Sequence, residues 1–183
     1  MKRLYKPAVC GCIILWLCSP ALRAEVEVPV TADLQADGQL AHARRLPILL
    51  VFSAQDCSYC EMLEEEFLRP MLLSGDYRDR IIIRKLLLDN GSRLTDFSGQ
   101  RIDATRLSER YSITVTPTML FLDEHGAELA QRMVGINTPE LFGGYLDDCI
   151  ETALLMIRNP AGLERLPGCR LQQPRRTISP AAP

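Results

Sequence analysis

Two cysteines three positions apart, Cys57 and Cys60, carry the most reactive chemistry in the chain. A thiolate at one can attack a disulfide sulfur, and a nearby second thiol can then displace the mixed disulfide. The residues around them decide whether that chemistry is available. Ile48-Leu49-Leu50-Val51-Phe52 is a continuous apolar run, the pattern of a strand buried on both faces. After it, Cys60, Leu63 and Phe67 recur at helical spacing, while Glu61, Glu64, Glu65 and Glu66 fill much of the remaining surface and read as a solvated face. Cys57 is therefore expected at the start of a helix, where unpaired N–H groups and the positive end of the dipole favour thiolate over thiol. Cys60, one turn later, is the resolving partner. The competing reading is half a zinc site, which needs a second cysteine pair. The only candidates, Cys149 and Cys169, are separated by 19 residues of chain. No metal and no cofactor are expected.

The elements that must position this pair follow from periodicity. A helix over Asp33–Arg45 carries Leu34, Leu40 and Ala41, is weakened by Gly38, and is ended by Pro47. Pro70 is expected to break or kink the helix after the cysteines. Ile81 to Leu88 reads as a second buried strand, followed by a polar stretch with turns at Asn90-Gly91 and Ser98-Gly99 and a helix from about Ala104 to Arg110. Met119–Leu122 is a third strand, and the turn Asp123–Gly126 leads into a fourth, Glu128–Val134. Thr138-Pro139-Glu140 opens a long helix whose stripe is Leu141, Tyr145, Cys149, Ile150, Ala153, Leu154 and Ile157, and Asn159-Pro160 stops it. The order is β-α-β-α-β-β-α with an extra N-terminal helix. It predicts an α/β fold with a mixed sheet, one parallel and one antiparallel pair.

The ends differ from this body. Lys2, Arg3 and Lys6 precede an apolar run from Ala8 to Cys18, and small residues suited to a signal peptidase follow up to Ala24. Residues 1–24 are expected to be a signal peptide, carrying Cys10, Cys12 and Cys18 away with it. An uncleaved anchor is the competing reading, and the run has roughly half of the ~20 residues a spanning helix needs. Export would place the mature chain where disulfides persist. Residues 25–158 form the single domain, and 159–183, with four arginines against Glu164, a loosely ordered tail. Of the 21 basic side chains four lie in the leader, leaving 17 against 23 acidic ones. Neither the aromatic content of 6% nor the pI of about 5.7 suggests a nucleic-acid binder, and no nucleic-acid partner is expected.

With these residues in view, Ile48–Ala54 followed by Cys57-Ser58-Tyr59-Cys60 resembles the strand, loop and active-site helix of thioredoxins. Val115-Thr116-Pro117-Thr118-Met119-Leu120-Phe121-Leu122-Asp123, with Gly126, is similar to their Thr-Pro-Thr segment. The resemblance covers about residues 33–157. It implies a thioredoxin fold, a cis-proline at Pro117 facing the cysteines, and Thr116 as the residue whose backbone pairs with a bound substrate strand. Ser58 and Tyr59 would shape the same contact. Within the superfamily the pattern is most similar to exported proteins of the SoxW type. That implies a periplasmic thiol–disulfide oxidoreductase which reduces disulfides of exported proteins and takes electrons from a membrane thiol carrier, without stable membrane insertion of its own.

Departures from the pattern sharpen the expectation. Cytoplasmic thioredoxins carry a buried Asp six residues before the first cysteine, and here that position is Val51. Asp56 should slightly oppose a Cys57 thiolate. Lys85, the only lysine beyond the leader, aligns with a lysine that neighbours the thiols in the family; an ordinary solvated lysine is the alternative. Cys149 and Cys169 either form a second disulfide or remain a buried and a free thiol. His42 and His125 read as surface residues. Two other functions compete: a disulfide isomerase or oxidase, for which the eight residues before Asp33 are expected to leave no dimerisation domain, and a non-catalytic thioredoxin-fold module with a static disulfide. A copper chaperone is disfavoured, because no His or Met accompanies the cysteines.

Overall fold

The computed structural model describes residues 26–159 and residue 169. The expected signal peptide and most of the expected tail lie outside the described residues. Two short edge contacts come first: Val30 bridges Lys85 in parallel, and the Lys85 N–H donates to the Pro29 carbonyl. Helix α1, Leu34–Arg44, is capped by the Asp33 carboxylate, which accepts the Ala36 N–H at 2.9 Å. Strand β1, Ile48–Ser53, is buried along its whole length, as its unbroken apolar run requires.

A long helical segment follows as α2, Ser58–Leu63, a π turn, Glu64–Leu68, and α3, Arg69–Ser74. Strand β2, Ile82–Leu87, returns parallel to β1, with Val51 beside Lys85 and Ile48 beside Ile82. After a hairpin of β3, Arg93–Thr95, and β4, Arg101–Asp103, comes α4, Ala104–Arg110. Strand β5, Thr118–Leu122, runs antiparallel to β1 and pairs with β6, Met133–Val134. Helix α5, Pro139–Arg158, completes the order. The main sheet reads β2-β1-β5-β6. Among the described residues no helix is long and apolar enough to cross a membrane.

Alternation along the strands makes two cores. Leu49, Val51, Ile83, Met119 and Phe121 point to one face, against Leu63, Leu68 and Met71 and against Phe142, Leu146, Ile150 and Ala153 of α5. Ile48, Leu50, Phe52, Leu120 and Leu122 point to the other, against Leu34 and Ala41 of α1 and Leu107 of α4. The redox pair thus sits at the junction of a strand clamped between both cores and a helix packed on one of them.

Four expectations need correction. The polar stretch after β2 contains the β3–β4 hairpin, whose three-residue strands bury one apolar side chain each, Leu94 and Ile102, too few to register as alternation. The strand expected over Glu128–Val134 shrinks to Met133–Val134 and a bridge between Glu128 and Leu122, because Arg132 turns back onto Glu128 and the Gln131 N–H donates to the Cys169 carbonyl. In the first turns of α5 the buried stripe is Phe142 and Leu146, while Leu141 and Tyr145 are exposed. Pro70 does not break the helix: it has no N–H to donate, and the irregularity falls in the π turn before it, which carries the helix through with the Arg69 N–H reaching back to the Glu64 carbonyl. Gly38 also has a reason to be glycine, since a Cβ there would collide with the Glu124 carbonyl oxygen. It lets α1 lie directly on the turn after β5.

Candidate active site

Beyond β1 the chain must turn sharply into α2. Asp56 does this with φ of +50°, a left-handed conformation that Asp tolerates better than most residues. Its side chain is exposed. The turn is tied down by Asp89 at the end of β2, whose carboxylate oxygens accept the Gln55 N–H at 3.0 and 2.9 Å.

Cys57 is the N-cap of α2, and its sulfur accepts the Cys60 N–H at 3.2 Å. This is the place where an anionic sulfur is stabilised by the helix start. Cys57 and Cys60 form a disulfide with Cα atoms 5.2 Å apart. Their exposures differ: Cys57 is half-buried, whereas Cys60 is 3% exposed. Between them Ser58 and Tyr59 are exposed, the tyrosine at 56%.

The Thr116–Pro117 peptide bond is cis and brings the loop before β5 against the pair. Thr116 Oγ1 lies 3.6 Å from Cys57 Sγ. In the disulfide the sulfur has no proton, so the hydroxyl is the donor. Two residues that sequence reasoning left without a role hold this loop. Thr118 Oγ1 donates to the Val115 carbonyl at 2.7 Å, and the Gly135 N–H donates to the Pro117 carbonyl at 2.8 Å. Gly135 has φ of +66°, which only glycine adopts without strain. Val115, 51% exposed, adds apolar surface next to Thr116.

Lys85 does not behave as a solvated lysine. Its Nζ donates to both carboxylate oxygens of Glu64 at 2.8 Å, and the two side chains are 16% and 14% exposed. Glu64 is the residue that the sequence reading lost by grouping it with the solvated glutamates; Glu61, Glu65 and Glu66 are indeed exposed. The signal was its place four residues after Cys60, on the same helix face.

The other cysteines form a separate unit. Cys149 of α5 and Cys169 are disulfide-bonded, with Cα atoms 5.0 Å apart. His42 and His125 are exposed around Glu124, away from the cysteines. Among the described residues no cluster of three or more His, Cys, Asp or Glu is suited to a metal ion.

A dithiol that opens a helix after a buried strand, with its second sulfur buried, defines a thiol:disulfide oxidoreductase. The family model for the thioredoxin-like domain matches residues 34–150, and the chain belongs to that family. Similar solved structures include a poplar thioredoxin h (22% identity, 61% of this chain and 84% of that chain, TM-score 0.44). Others are Fasciola hepatica thioredoxin (20%, 67% and 96%, TM-score 0.45) and spinach chloroplast thioredoxin f (19%, 72% and 98%, TM-score 0.47). No curated protein matches the chain.

Proposed function

We propose that this oxidoreductase works as a disulfide reductase of exported proteins, in the manner of the SoxW-type periplasmic thioredoxin-like proteins. The observation that carries the reading is the asymmetry of the pair: a half-buried Cys57 sulfur that accepts two hydrogen bonds, with a buried Cys60 behind it. Cys57 attacks a substrate disulfide, the mixed disulfide forms, and Cys60 displaces it to release the reduced substrate. The Thr116 backbone pairs with the substrate strand beside the cysteines, and Tyr59 and Val115 offer it apolar contact. The basic and then apolar segment of residues 1–24 supports export to the periplasm. The oxidised protein is re-reduced there by a membrane thiol carrier.

The test is the reduction potential of the Cys57–Cys60 pair, measured by alkylation and mass shift across glutathione and dithiothreitol buffers. A value near about −270 mV supports a reductase, and one near about −120 mV would make the protein an oxidant or shuffling enzyme instead. A Cys60→Ala variant expressed with its leader should accumulate mixed disulfides with periplasmic proteins. An empty trap would overturn the substrate class.

A further inference from the structure

Resolution by Cys60 needs a proton to leave a buried thiol, because only the thiolate attacks. Position Val51, directly beside Lys85 in the sheet register, offers no acceptor. The chain places one there from another element. Glu64 descends from the helix, four residues after Cys60, onto Lys85, and a cavity of about 190 Å³ is lined by Cys60 together with both members of this ion pair. That volume has room for several waters, each of which occupies about 30 Å³. Asp56, Glu61, Glu65 and Arg69 also line the cavity, but the three carboxylates among them belong to exposed residues. Of the carboxylates lining the cavity with Cys60, only that of Glu64 is largely buried, at 14% exposure, and held by a fixed partner.

We infer that Glu64, held by Lys85, accepts the Cys60 proton through the cavity water during resolution of the mixed disulfide. The inference rests on the thiol-exchange reading above and adds a residue to it. The step balances as follows. The Cys60 S–H bond breaks, and its proton passes to the Glu64 carboxylate. The thiolate forms a bond to Cys57 Sγ, and the bond between Cys57 and the substrate sulfur breaks. Two electrons have then moved from the dithiol to the substrate disulfide. The substrate leaves as a thiolate, which takes up a proton as Glu64 returns its own to water.

Stopped-flow reaction with dithiobis(nitrobenzoate) separates the two events. The first thionitrobenzoate is released by Cys57 and the second by Cys60. In Glu64→Gln the first phase should match the wild type within about twofold, and the second should slow on the order of a hundredfold at neutral pH. The defect should shrink as pH rises, because solvent base then takes the proton that residue 64 no longer accepts. Glu64→Gln strands the Lys85 charge, so the double variant Glu64→Gln/Lys85→Met is measured beside it and should show the same defect in a protein without a buried unpaired ion. A second phase at the wild-type rate, or a defect of equal size at every pH, would overturn the role of Glu64. A wild-type protein that releases no thionitrobenzoate would instead overturn thiol exchange itself.

Discussion

Replacing Thr116 by valine tests how the loop before β5 sets the reactivity of Cys57. The side chains are nearly isosteric, so the change removes one hydroxyl and leaves packing in place. That hydroxyl stands 3.6 Å from the sulfur, and among the described residues the other hydrogen bond to the sulfur comes from the Cys60 N–H at 3.2 Å. A hydrogen bond to a charged acceptor contributes about 1.5–3 kcal/mol, and the long contact argues for the lower end. About 1.4 kcal/mol corresponds to about one pKa unit, so the Cys57 thiol should ionise roughly one pH unit higher in Thr116→Val. Losing thiolate stabilisation disfavours the reduced form. The reduction potential should therefore fall, by up to about 30 mV for this two-electron couple. The assay is the pH dependence of iodoacetamide alkylation of the reduced protein, with redox equilibration against glutathione as a second measurement. Thr116→Ser keeps the hydroxyl and should stay near the wild type. If valine left the alkylation midpoint and the potential unmoved, or if serine shifted both as far as valine, the hydroxyl would have no part in stabilising the thiolate.

Three further outcomes follow from the described geometry. Cys169→Ser opens a disulfide spanning a sequence separation of 20, and should cost about 3 kcal/mol in urea unfolding while leaving the Cys57–Cys60 potential unchanged. Gly38→Ala gains about 1 kcal/mol of helix propensity, but sets a methyl against the Glu124 carbonyl, so thermal unfolding should report a net loss on the order of 1 kcal/mol. Asp96 is buried, which opposes its ionisation, yet hydrogen bonds from Ser98, Arg110 and the Gln100 N–H win and hold its carboxyl down at about 2. Because the folded value lies below the unfolded one, its contribution is whole above about pH 4 and is lost as pH falls towards about 2. The stability gap between wild type and Asp96→Asn should be on the order of 1 kcal/mol near neutrality and close across that window; a gap indifferent to pH would contradict it.

The sequence made the strand–turn–helix around Cys57 legible because two independent signals agreed there: the unbroken apolar run of β1 and the helical spacing of Cys60, Leu63 and Phe67. The loop at Pro117 was readable from its resemblance, the parallel β1–β2 pair from the helix between its strands, and the antiparallel β5–β6 pair from the turn at Gly126; the β1–β5 pairing was not read. What stayed hidden depends on contacts that no local pattern encodes. Glu64 shares its sequence neighbourhood with three exposed glutamates, and beyond its place one turn after Cys60 it is the approach of Lys85 from β2 that distinguishes it. The Glu128–Val134 segment has the composition of a strand, but Arg132 and Cys169 take its backbone elsewhere. Gly135 looks like any turn glycine until its N–H is seen to hold the Pro117 carbonyl.

The π turn at Glu64–Leu68 bears on which changes this protein can absorb. Each residue added to a helix advances everything after it by about 100°. The extra residue in that turn therefore acts as an index between two orientations. At its start, Cys60 before it and Glu64 as its first residue line the cavity with Lys85; towards its end Phe67 meets Phe142 with ring centroids 4.7 Å apart, and beyond it Met71 enters the core. Deleting one residue here would do more than shorten the helix. Either Glu64 would swing away from Lys85, or the aromatic contact would swing out of the core. Side chains on the exposed face, such as Glu65 and Glu66, are free to vary, whereas the number of residues between Cys60 and Phe67 is not.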